Sequence, residues 1–134
     1  MATLAPPVRR LGPWLAGGFA IAFGLATLAE GGHVLFGGPA ARAAAGHVVP
    51  FVLRFNFGAG FFYVLGGLAI VLRRRSALVV ARALALSTLL VFAALGVHVL
   101  TGGAYERRTV VAMLFRSAVW VALALGLPRL LDDR

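Results

Sequence analysis

Leu11-Gly12-Pro13-Trp14-Leu15-Ala16-Gly17-Gly18-Phe19-Ala20-Ile21-Ala22-Phe23-Gly24-Leu25-Ala26-Thr27-Leu28-Ala29 runs for nineteen residues without a charge. At 1.5 Å per residue that is long enough to cross the hydrocarbon of a bilayer. A carboxylate, Glu30, and an imidazole, His33, follow before the apolar pattern ends at Val34-Leu35-Phe36. An ionisable group at the centre of a span costs roughly 2.5–3.5 kcal/mol on insertion scales, so such groups face protein, water or a ligand. The stretch therefore defines a membrane span and marks a candidate site at one end of it.

Working outward, hydropathy places four spans at about residues 13–36, 50–72, 77–100 and 107–127, the last interrupted by Arg116. The connections are short. Pro39 suits a first helical position and Gly46 a residue just past a helix end, so residues 37–49 read as a brief interfacial helix. Arg73-Arg74-Arg75 forms a tight turn, and Gly102 and Gly103 end the third span. Spans joined this way form a single all-α domain, an integral membrane antiparallel four-helix bundle. Small residues at four-residue spacing support close helix contact: Ala16-Ala20-Gly24, Ala77-Ala81-Ala85 and Ala118-Ala122-Gly126. They suit a dimer interface equally well.

Composition agrees with a bilayer environment. The 134 residues are 61% apolar with mean hydropathy +0.96, outside the range of soluble domains. No cysteine is present, which excludes a dithiol relay or thiolate metal cage in this chain. The net charge of +9 comes from arginines placed singly or in short runs at span ends. Topology and anionic headgroups account for that placement better than nucleic acid does. The first apolar run exceeds a signal-peptide core, and three spans follow it, so it is expected to stay in the protein. Arg9, Arg10, Arg73, Arg74, Arg75, Arg82, Arg129 and Arg134 lie on one side, against Arg42, Arg54, Arg107 and Arg108 on the other. This bias predicts an inner-membrane protein with both termini cytoplasmic.

In that orientation the intramembrane polar groups collect in the outer half. Glu30 and His33 share a helical face, Asn56-Gly60-Tyr63-Gly67 form a stripe of the second span, Ser87-Val91-Ala94-His98 of the third, and Thr109-Met113-Arg116-Trp120 of the fourth. If these stripes face inward they enclose a pocket open outward. It would be lined by Glu30, His33, Asn56, Tyr63, His98, Arg116 and Trp120, with Tyr63 and Trp120 near its floor and Arg54, Glu106, Arg107 and Arg108 around its rim. Glu30 and Arg116 fall at comparable heights and are expected to meet, directly or through a ligand, because an unpaired charge in hydrocarbon is costly.

Three chemistries remain open for these residues. A small ligand such as a quinone headgroup would find charge at Arg116, hydrogen bonds at Asn56, aromatic walls at Tyr63 and Trp120, and a proton at His98 or Glu30. Glu30, His33 and His98 have the composition of a two-histidine, one-carboxylate metal site, and the two histidines that of a haem ligand pair. Alternatively the buried charges only hold the bundle together, in a structural or assembly subunit of a membrane complex or in a homo-oligomer. No catalytic constellation is readable, and nucleic acid is not an expected partner.

The Gly-rich first span, the short outer loop ending near Pro50, and the second-span runs Gly58-Ala59-Gly60 and Tyr63-Val64-Leu65-Gly66-Gly67 resemble the DoxX-like family of small four-helix membrane proteins. That family includes the small subunit type of thiosulfate:quinone oxidoreductase. The resemblance implies a four-helix membrane fold and a quinone-linked or membrane-assembly role, and it carries no catalytic residue over.

Overall fold

The computed structural model describes residues 6–131, which form five helices: α1 (Pro6–Phe36), α2 (Pro39–Ala45), α3 (Pro50–Val71), α4 (Ser76–Leu100) and α5 (Arg107–Leu131). Arg134, one of the arginines used to orient the chain, lies outside the described residues. Four of the helices are long and apolar enough to cross a membrane, and they run antiparallel in chain order. The chain is a small multi-pass membrane protein built as a helical bundle. The first helix begins at Pro6, earlier than residue 13, because Pro6 and Pro7 suit a first turn where no N–H donor is required. Pro13 is accommodated within it.

The helix ends follow from local chemistry. Pro39 and Pro50 open α2 and α3, each at a first helical position. Gly102, at φ 86°, closes α4: its N–H donates to the Val99 carbonyl and the next N–H to His98, the paired bonds of a Schellman motif. The turn after α3 uses the same geometry with Arg73 at φ 55°, Arg74 N–H reaching back to the Ala69 carbonyl.

Within the bundle α1 pairs most extensively with α3 and α4 with α5, α3 joins the pairs, and the α1–α5 seam is sparse. The α1–α3 contact is a glycine seam. A Cβ on Gly17 would stand 2.6 Å from the Gly67 carbonyl oxygen, and one on Gly24 would stand 2.9 Å from that of Gly60. Lipid gives helices no hydrophobic reason to associate, so such backbone-to-backbone packing supplies the attraction. Along this seam the active period is seven (Gly17, Gly24, Gly31 against Gly67, Gly60), while of the four-residue ladder Ala16-Ala20-Gly24 only Ala20 and Gly24 are fully buried.

Other ladders and stripes fare differently. Ala77, Ala81 and Ala85 are buried, as a packing ladder requires. Ala118 and Ala122 are exposed, so that ladder faces away from the bundle. The inner stripe of α4 is Ala81, Leu84, Ala85, Thr88 and Leu95, rotated from the expected Ser87-Val91-Ala94-His98. The physical reason is local satisfaction. The Ser87 hydroxyl donates to the Ala83 carbonyl at 2.7 Å, and the His98 Nε2 bonds the Ala104 carbonyl at 2.9 Å. Neither side chain then needs the bundle interior.

Candidate functional site

Arg116 lies about 13 Å into α5 by residue count and is only 7% exposed. The sparse α1–α5 seam leaves room for its side chain. Its Nη1 donates to the Thr27 hydroxyl at 2.7 Å, and its guanidinium carbon sits 5.0 Å from the Phe23 ring centroid and 5.9 Å from that of Tyr63. Thr27 and Phe23 on α1 therefore hold the cation by a hydrogen bond and a ring face. Its Nε has no hydrogen-bond partner.

Above Arg116 a cavity of about 550 Å³ runs between α1, α3 and α5, beneath α2. Val34, Val48, Val49, Val52, Leu53 and the alanines of α2 make its apolar walls. Its polar groups are Thr27, Glu30, His33, Asn56, Arg108, Thr109 and Arg116. Glu30 and His33 are exposed, so the cavity opens at their face of α1, about 5 to 9 Å short of the helix end by residue count. The Oδ1 of Asn56, like the Nε of Arg116, is buried without a partner. Glu30 and Arg116 border one space, yet no ion pair joins them, and the contacts of Arg116 run to Thr27, Phe23 and Tyr63 instead.

The roof is clasped to α5. Arg108 donates to the Ala45 carbonyl at 2.7 Å, satisfying the free C-terminal end of α2, and the Glu106 carboxylate accepts the His47 N–H at 2.9 Å. These two residues, expected only at the rim, thus fix α2 over the cavity. Arg107 is exposed. Arg54 borders a second hollow with Arg42 and His47, outside the main cavity.

Of the expected pocket residues, Glu30, His33, Asn56 and Arg116 come together, while Tyr63, Trp120 and His98 do not line this cavity. Tyr63 and Trp120 are fully buried in the core, ring centroids 4.9 Å apart, with Tyr63 against Phe23 beneath Arg116. His98 packs against Phe51 and the α4–α5 turn. Among the described residues no three histidine, cysteine or carboxylate side chains gather, so Glu30, His33 and His98 share no site. The His98 Nε2 is bonded to the Ala104 carbonyl. Thr27 was not singled out from the sequence. Its signal was its position three residues before Glu30, as the one hydroxyl in an otherwise uncharged, apolar run.

Comparison with protein-family models, with curated proteins and with solved structures finds no match.

Proposed function

We propose that this small four-helix protein resides in the inner membrane, both termini cytoplasmic, and binds the polar headgroup of a small membrane amphiphile. A quinone headgroup is of suitable size for the cavity, and the protein then acts as a redox-auxiliary subunit of the kind the DoxX-like resemblance suggests. The observation that carries this reading is Arg116: a buried cation with an unpartnered Nε, bordering a cavity whose one carboxylate, Glu30, makes no ion pair with it. A buried guanidinium is costly unless its remaining donors are met, and a ligand oxygen meets them. Apolar walls with a few convergent polar groups are the usual make-up of a ligand site.

Native mass spectrometry of the protein extracted from its membrane tests this. Wild type is expected to retain one amphiphile per chain, or to take up an added decyl-chain benzoquinone, and Arg116→Gln of unchanged helical content is expected to lose both. A wild type that retains neither overturns the reading. A second reading, an assembly subunit, is favoured by the exposed Ala118 and Ala122 on α5, a face on which a partner helix can approach closely. Cross-linking through a cysteine at position 118 tests it.

A further inference from the structure

We propose that the cavity takes a zwitterionic headgroup, its phosphate or carboxylate on Arg116 and its ammonium on Glu30. The inference rests on the reading of the cavity as a ligand site and specifies the chemistry of the occupant.

The unmet groups in the cavity are of two kinds. Arg116 offers donors: Nη1 is taken by Thr27, and Nε has no partner. Glu30 and the Oδ1 of Asn56 are acceptors: the Asn56 oxygen is buried without a partner, and the Glu30 carboxylate, exposed at the mouth, makes no hydrogen bond or ion pair among the described residues. A quinone carbonyl supplies acceptors alone, which suits Arg116 and leaves Glu30 and Asn56 unmet. A simple anion suits Arg116 and repels Glu30. An ammonium carries three donors and a positive charge, so it serves Glu30 and Asn56 together, while an anionic group on the same molecule serves Arg116. The charges of Glu30 and Arg116 sum to zero, and a headgroup with separated opposite charges and no net charge compensates both. An ethanolamine phospholipid carries this chemistry, and so does a free small zwitterion.

The test uses the full chain, delipidated in detergent and offered dioleoyl phosphatidylethanolamine and dioleoyl phosphatidylglycerol in equal amounts, with bound lipid read by native mass spectrometry. Wild type is expected to prefer the ethanolamine lipid about tenfold, a size of effect typical of one close charge pair. Glu30→Gln, a near-isosteric change at an exposed position, is expected to abolish that preference. Millimolar glycerophosphoethanolamine distinguishes the sources: displacement of the lipid shows that the free headgroup suffices, and no displacement shows that the acyl chains are required. Both results support the shared chemistry. Equal or stronger retention of phosphatidylglycerol by wild type, or an unchanged preference in Glu30→Gln, overturns the zwitterion proposal. Retention of the benzoquinone or of phosphatidylglycerol under those outcomes leaves the ligand-site reading standing. Retention of no probe at all ends both.

Discussion

Arg116 sets the terms at the scale of single residues. Its one hydrogen bond within the protein goes to Thr27, and both side chains are buried. Thr27→Val keeps the shape and removes the acceptor, so it is expected to destabilise the protein by about 1–3 kcal/mol. Thr27→Ser, which keeps the hydroxyl, should recover most of that loss in reversible unfolding by mixed detergents. The relation of Arg116 to Glu30 is different, since they share a cavity and no ion pair. In delipidated protein the effects of Glu30→Gln and Arg116→Gln are therefore expected to add to within about 0.5 kcal/mol. Coupling well above that value would mean that the two side chains pair directly when the cavity is stripped. The sequence made this pairing look attractive because both charges sat at similar heights. It did not reveal that a hydroxyl and a ring face on α1 would hold the guanidinium first.

Helices and their seams carry the next level of argument. Gly18 and Gly24 lie six residues apart on α1 with opposite surroundings. A Cβ at Gly24 collides with the Gly60 carbonyl, Val64 and Tyr63, and a Cβ at Gly18 meets nothing within 4 Å. Gly24→Ala is expected to cost about 1–3 kcal/mol through overpacking, whereas Gly18→Ala should be neutral or stabilise by up to about 1 kcal/mol through helix propensity. Equal effects at the two positions would remove the α1–α3 seam as the basis of packing. The clasp on α2 gives a second contrast. Glu106→Ala frees the His47 N–H, so amide exchange in residues 40–47 should quicken while that of α3 stays unchanged. How far the sequence could be read divides along the same lines. The stripes of α3 and α5 were legible because their polar residues and glycines, Asn56, Gly60, Gly67 and Arg116, do face the interior. That of α4 was not, because Ser87 and His98 bond nearby carbonyls and so carry no information about which face is inside. The clasp was illegible too: it depends on where the α2 carbonyls fall relative to α5, which no periodicity encodes.

At the scale of the whole molecule the polar groups divide the bundle in two. The half near α2 holds the cavity. Toward the Arg73–Arg75 turn the described core is Ile70, Ala77, Ala81, Leu84 and Leu127, with Tyr63 and Trp120 lying between the two regions. These residues are apolar apart from the Tyr63 hydroxyl and the Trp120 indole N–H, in contrast to the polar lining of the cavity. The same division makes topology testable. Residues 43 and 104 lie at one end of the bundle and residue 75 at the other. Seven of the described arginine positions, Arg9, Arg10, Arg73, Arg74, Arg75, Arg82 and Arg129, fall toward the termini and the α3–α4 turn, against Arg42, Arg54, Arg107 and Arg108 at the cavity end. Arginine bias retains the more basic side in the cytoplasm. Single cysteines introduced into this cysteine-free chain should therefore react with an impermeant maleimide from outside intact cells at positions 43 and 104, and at position 75 only after the membrane is opened. Labelling of position 75 from outside would invert the protein and place the cavity end at the cytoplasmic face. Labelling of all three from one side would contradict four membrane crossings and the bundle itself.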